Sequence, residues 1–193
     1  AGRSLTLGRN AVLDAHGNRL RVDSYGKIID SPNRAIVDLT SRNGVLTLAD
    51  GARIDLRHGT AAPAGQHDGR ARGTLELNAR RAGSTPTQGD IAIDARGGLD
   101  IQGARSIAVN GMWQYNDAEF GSDPAASGRP YQVIDQAYLD GKHQDSIAFI
   151  NAALANGDLM QRKLAGLNNA RYADAFHLRP GVEIVSATAD GDL

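Results

Sequence analysis

The chain has no cysteine at all, so disulfide frameworks, thiolate metal sites and cysteine nucleophiles are excluded together. Stability has to come from packing and backbone pairing. Aromatic residues are scarce, 5% of 193 residues with a single tryptophan, which suits a narrow, layered interior better than a large globular α/β core. No window approaches the ~18 to 20 consecutive apolar residues of a membrane-spanning helix. Neither charge is in excess: 21 basic and 22 acidic side chains are interspersed, for a net charge of -1. No general field is left to hold phosphate backbones or anionic lipid, so nucleic acid is not expected as a partner. The longest basic cluster, Arg80-Arg81, reads as solvated surface.

What the chain does have is glycine, 23 residues of it, and a small unit, apolar-any-apolar, that returns about every eight residues between Gly, Asn and Asp turns. The clearest run is Ile91/Ile93, Leu99/Ile101, Ile107/Val109. An earlier run starts at Leu20/Val22 and passes through Ile28, Val37/Leu39 and Leu46/Leu48 to Ile54/Leu56. Residues i and i+2 of a strand share a face, so each pair points two side chains inward and the middle residue outward. The middle residues include Arg21, Thr47, Asp55, Glu76 and Asp100, as a solvated face requires. Strands this short bury little alone, and stacking them is the remedy.

Two architectures use such spacing. An antiparallel sandwich or barrel spends its turns on reversals, with longer strands and hairpin loops. A parallel β-helix bends the chain around three faces per coil, so three steps of eight give coils of about 24 residues stacked at ~4.8 Å. The expected fold class is mainly β, a parallel right-handed β-helix, because the pairs are short, evenly spaced and poor in hairpin dipeptides. Between Ile54 and Leu75 the run from Arg57 to Gly69 has the composition of a protruding surface loop.

After Val109 the pattern changes. Trp113, Tyr115 and Phe120 lead into a linker, Gly121 to Pro130. Three short helices are expected next: one around Val133, Ile134, Ala137 and Tyr138; a second capped by Asp145, with Ile147, Ile150 and Leu154 as its apolar stripe and Gly157 closing it; and a third capped by Asp158, with Met160, Leu164 and Leu167 on one face. The pair then resumes at Val182/Ile184 behind Pro180-Gly181. The helices therefore read as an insertion: β-helix coils over 1–115, linker and α-helical insertion over 116–176, and a return to the coil over 177–193. The start, Ala1-Gly2-Arg3-Ser4, is neither an initiator Met nor a signal peptide, and the end, Ala187 to Leu193, stops where a turn would enter another strand. A segment of something longer is expected, with its open coil ends protected by insertion or self-association.

Catalytic arrangements are mostly missing. There is no His-Glu-x-x-His helix, no Gly-x-Ser-x-Gly elbow and no phosphate-cradling Gly-rich loop. His16, His58, His67, His143 and His177 are scattered without metal-ligand spacing. Asp190-Gly191-Asp192 is an oxygen-ligand turn without the nonapeptide repeats of a calcium roll. Asp90, Asp94 and Asp100 lie near one another in sequence, and stacked coils could bring Asp55, Glu76 and Asp100 onto one face, as the acid and base of a polysaccharide-cleaving enzyme. Polar residues outside strands and in turns are also what the fold itself demands. Trp113, Tyr115 and Phe120, with Tyr131, Tyr138 and Tyr172, read as the seal between coils and insertion. No catalytic, cofactor-binding or metal-ligating residue is assigned, and no cofactor is expected.

The segment from Gly44 to Leu56, GVLTLADGARIDL, and that from Gly89 to Ile101, GDIAIDARGGLDI, resemble the repeats of large filamentous haemagglutinin-type exoproteins of two-partner secretion systems. Phe176 to Ile184, FHLRPGVEI, is similar to a phrase in the later part of some members, where helices interrupt the repeats. The resemblance implies a right-handed β-helical shaft, secretion to the bacterial cell surface through a dedicated outer-membrane transporter, and adhesion to a receptor or glycan on a host or neighbouring cell. The implied role is structural and interactive, without catalysis; the alternatives are the carbohydrate-active enzyme and the shaft of a contact-dependent toxin-delivery filament. The family's Asn-Pro-Asn secretion motifs are represented only by Ser31-Pro32-Asn33, and no Arg-Gly-Asp tripeptide is present. An internal or distal segment is expected.

Overall fold

The computed structural model describes residues 3–16, 21–30, 35–57, 71–116 and 134–185. It is mainly β, with parallel sheets and two helical segments. One sheet holds β1 (Leu5–Leu7), β6 (Leu46–Leu48) and β9 (Ile93–Asp94); a second holds β2 (Val12–Asp14), β7 (Arg53–Asp55) and β10 (Asp100–Gln102). The third is longer, with β5 (Ile36–Ser41), β8 (Gly73–Arg80), β11 (Ala104–Asn116) and β12 (Phe176–Val185), in the order β12-β11-β8-β5. All pairings in these sheets are parallel, and the chain visits the sheets in the same order three times.

The period-two pattern decides what points inward. Leu46/Leu48, Ile54/Leu56, Leu75/Leu77, Ile91/Ile93, Leu99/Ile101 and Ile107/Val109 are all buried and share one core. Each is a β-branched or γ-branched aliphatic at positions i and i+2, which a pleated strand turns to the same side.

Four expectations need correction. The register does not follow even coils of 24 residues: Leu5 lies beside Leu46 and Leu46 beside Ile93, returns of 41 and 47 residues. Long strands in the third sheet and intervening loops lengthen each circuit. The units at Val22 and Ile28 do not stack, because β3 (Arg21–Val22) and β4 (Ile28–Asp30) pair antiparallel with each other around the turn at Gly26. Arg81, expected on the surface, is 1% exposed. Asp55, expected to point outward into water, is buried between two guanidinium groups.

The helices also differ. Instead of separate helices at 133–138 and 145–157, one helix, α1, runs Gln136–Ala155. Asp135 caps it by accepting from the Tyr138 amide at 2.9 Å. Asp145 lies inside the helix. Asn156 ends it and starts the next turn, its amide donating to the Gly89 carbonyl at 2.8 Å and its Oδ1 accepting from the Leu159 amide at 3.2 Å. A π-helical turn comes next over Asp158–Lys163; Asp158 does not cap it, Gly157 standing at the N-cap position, and pairs with Arg162 instead. The buried face of α1 is Tyr138, Ser146, Phe149 and Ala153; Ile147 and Leu154, expected to be buried, are exposed. Phe149 decides this, because its ring fits above Gly111, where a Cβ would stand 2.5 Å from Cζ.

Phe149, Ala153, Leu159, Leu164, Leu167 and Tyr172 join the core of the sheets. The segment after α1 runs along β9 and β10: the Ala95 amide donates to the Lys163 carbonyl at 2.7 Å, and the Gly166 amide to the Ala95 carbonyl at 2.8 Å. The Tyr172 hydroxyl donates to the Leu99 carbonyl at 2.7 Å and accepts from the Ile101 amide at 3.0 Å. Backbone groups of β9 and β10 that would otherwise lack partners are thereby satisfied. Among the described residues only the third sheet continues past this cover, through β12, paired to β11 from Ile107↔Phe176 to Asn116↔Val185.

Candidate interaction surface

The outer face of the third sheet carries an ordered set of polar side chains. Register places Asp38 beside Glu76, Asn78 between Thr40 and Asn110, and Arg80 beside Met112. Arg42 comes one residue beyond the Ser41↔Ala79 pair. Along the strand direction the face therefore passes from acidic to amide to basic. The lower rows satisfy themselves: the Asn78 amide donates to Asp38 at 2.9 Å and to the Thr40 hydroxyl at 3.1 Å, and the Asn110 amide donates to Glu76 and to Asn78 Oδ1, both at 2.7 Å. Cross-strand amide pairs of this kind brace the ladder.

The upper row is different. β8 ends at Arg80, where the chain turns Arg81 inward, while β11 and β12 run on to Asn116 and Val185. The mismatch leaves a groove of about 470 Å³, lined by Thr40, Ser41, Arg42, Asn43, Asn78, Arg80, Met112, Gln114 and Glu183. The Arg80 side chain is exposed and makes no hydrogen bond or ion pair among the described residues, while its carbonyl accepts from the Ala92 amide at 2.9 Å. Arg42 reaches from the end of β5 toward Glu183 of β12, with 3.7 Å between Nη2 and Oε1.

Arg81, directly below, anchors the site. Its Nε donates to the Gly111 carbonyl at 2.9 Å, Nη1 to Pro86 at 2.5 Å and Nη2 to Gly181 at 3.1 Å. Burial lowers its pKa, and three carbonyls together with the Phe149 ring face hold the cation. Beside it, the Tyr115 hydroxyl donates to Asp145 at 2.9 Å and Lys142 lies over the Tyr115 and Tyr138 rings. Burial, followed by the Asp145 carboxylate, raises the Tyr115 pKa. Trp113 is half-buried and Tyr172 buried. Phe120, Tyr131, the linker Gly121 to Pro130 and most of the loop before Leu75 lie outside the described residues.

The carboxylates considered for acid-base chemistry divide between sheets. Asp55 and Asp100 share the outer face of the second sheet, and Glu76 belongs to the third. Asp55 takes Arg57 at 2.6 Å and Arg53 at 3.1 Å, and the Arg57 hydrogen bonds hold its carboxyl well below the usual range. Asp100 takes Arg171 at 2.5 Å and the Gln102 amide at 2.6 Å. Burial raises its pKa, but those bonds outweigh burial and the net shift is downward. A glycosidase acid needs a raised pKa, and this pair has the opposite setting. Asp90 binds Lys163 and Asp94 binds Arg96.

His16 pairs with Asp14, and His143 and His177 are apart from it on α1 and β12. His58, His67 and the turn Asp190-Gly191-Asp192 lie outside the described residues, among which no group of three metal-ligating side chains occurs. No described helix is long and apolar enough to cross a membrane. The sequence carries no signal for Arg42, Gln114 or Glu183, and its Arg80-Arg81 pair reads as solvated surface, which holds for the exposed Arg80 and fails for the buried Arg81. No protein-family model, curated protein or solved structure matches the chain.

Proposed function

We propose that the chain is a structural and interaction segment of a large secreted or bacterial cell-surface adhesin of the filamentous haemagglutinin type, without catalysis of its own. In this reading the three sheets are the faces of an irregular parallel β-helix, the helices are its insertion, and the full-length protein leaves the cell through a dedicated outer-membrane transporter. The observation that carries the reading is the threefold return of the chain through the same three parallel sheets, with the inward pairs in one core. Such a stack offers long, rigid outer faces for contact and spends its apolar residues on standing upright. The outer face of the third sheet, with its polar rows and groove, is the surface assigned to a receptor or glycan.

The carbohydrate-cleaving alternative is less favoured by the arginine pairing of Asp55 and Asp100. A toxin-delivery filament would share the shaft and differ in carrying a toxin domain at its far end. The test is binding of the labelled, purified chain to epithelial and bacterial cells, together with the sequence of the flanking reading frame. Saturable binding competed by unlabelled chain, and a secretion domain upstream, are expected. Binding no greater than that of an unrelated β-rich protein would overturn the interaction role, and a short complete frame would overturn the exoprotein assignment.

A further inference from the structure

The groove above Arg81 has a composition unlike the rest of the sheet's outer face. Two guanidinium groups, Arg42 and Arg80, stand at its basic end. Asn43, Asn78 and Gln114 add amides, Thr40 and Ser41 add hydroxyls, and Met112 is the one apolar side chain in the lining. Neutral amides and hydroxyls match the mixed donor and acceptor pattern of sugar hydroxyls. A single thioether suits the C–H face of one ring and offers no pocket for a large apolar group. The volume, about 470 Å³, falls within the ~300 to 1,000 Å³ of small-molecule sites.

The charges narrow the ligand further. The Arg80 side chain holds no partner among the described residues, although carboxylates stand lower on the same face, at Asp38 of the neighbouring β5 and at Glu76 of β8 itself. Those are occupied by Asn78, Thr40, Asn110 and, at 3.7 Å, Arg179. Arg42 has Glu183 at 3.7 Å, too long for the charge-assisted hydrogen bonds of ~2.7 to 2.9 Å that guanidinium and carboxylate form when well fitted. The Arg42–Glu183 contact joins the two outermost strands of the sheet, β5 and β12, across the groove. Glu183 is thus a carboxylate of the protein resting loosely at the basic end.

We propose that this groove binds a carboxylated sugar, a hexuronate or similar unit, whose carboxylate is held by Arg80 and Arg42, and that Glu183 fills the carboxylate's place while the groove is empty. The inference rests on the reading of this face as an interaction surface. Ligand and Glu183 carry the same group and the same charge, so binding exchanges one carboxylate for another and Glu183 acts as an internal competitor. The amides and hydroxyls then fix the ring through its hydroxyls, which a peptide carboxylate lacks.

The experiment is calorimetric titration of the 193-residue chain with trigalacturonate, with its methyl ester, in which the sugar remains and the charge is gone, and with a short oligo-aspartate. Trigalacturonate is expected to bind at least about tenfold more tightly than the ester or the peptide, in line with the strength of guanidinium–carboxylate bonds. Arg80→Ala is expected to weaken it about tenfold, and Glu183→Gln to tighten it severalfold; both side chains reach the surface, and circular dichroism checks the fold of each variant. Equal binding of acid and ester, equal competition by oligo-aspartate, no binding of trigalacturonate, or Glu183→Gln binding no more tightly than the parent would each overturn the proposal. Cell binding that survives Arg80→Ala would separate this site's failure from that of the adhesive reading.

Discussion

The guanidinium carbon of Arg81 stands 4.1 Å from the centroid of the Phe149 ring, joining the end of β8 to the middle of α1. Among the described residues no carboxylate pairs with it; three main-chain carbonyls and a ring face hold it instead. Removing the side chain leaves those carbonyls without donors and opens a void under Phe149. Arg81→Ala is expected to cost about 3 to 5 kcal/mol in urea denaturation, and Arg81→Met, which fills the space without donating, about 2 kcal/mol. A loss below ~1 kcal/mol for both would mean that α1 is held by other contacts.

Tyr172 makes a second tie, with its hydroxyl between the Leu99 carbonyl and the Ile101 amide. Tyr172→Phe keeps the ring, strips the Ile101 amide of its partner and leaves the Leu99 carbonyl with the Arg171 guanidinium alone, at 3.3 Å. A loss of about 1 to 3 kcal/mol is expected, with faster hydrogen exchange at the Ile101 amide than at the Leu77 amide. Unchanged protection at Ile101 would show that this end of β10 has another cover.

Acid should weaken the second sheet. The Asp55 carboxyl, held down by Arg57 and then Arg53, has a folded-state pKa below its ordinary 3.8. Its contribution is therefore complete above that value and falls away as pH drops through the folded-state pKa. Denaturation midpoints measured from neutral pH down to about pH 2 should decline below about pH 4, and Asp55→Asn should flatten that decline. A variant with the same acid limb as the parent would assign the sensitivity elsewhere.

The end formed by β1, β2 and β5 presents sheet edges. Leu5, Val12 and Ile36 are 37%, 64% and 73% exposed, and none of these strands carries the Lys or Pro with which edges are often protected. Sedimentation velocity over a concentration series should show self-association that Val12→Lys and Ile36→Lys suppress, while Val182→Lys on β12 does not. Monomeric behaviour at all concentrations, or equal effects of the three substitutions, would remove the edges as its cause.

The inward pairs were legible in the sequence because strand alternation is local: Leu75 and Leu77 share a face whatever lies beside them. The helical region and the return to strand at Val182/Ile184 were legible for the same reason, from changes of period; the turn expected at Pro180-Gly181 is absent, because both residues lie inside β12, in register with Gly111 and Met112. The face that α1 buries was not. Ile147, Ile150 and Leu154 form a reasonable stripe, yet Phe149 sets the orientation because Gly111 leaves room for its ring.

The sequence by itself determined that the aliphatic pairs from Leu46/Leu48 to Ile107/Val109 turn inward, that a helical region follows the strands and that no thiol chemistry is available, all of which depend on residue type and spacing within a few positions. Tertiary structure decided the returns of 41 and 47 residues, the burial of Arg81 beside an exposed Arg80 and the groove between Arg42 and Glu183. These join groups far apart in the chain, and their energies depend on loop lengths and on the shape left where β8 stops before β11. Neighbouring residues carry no trace of either.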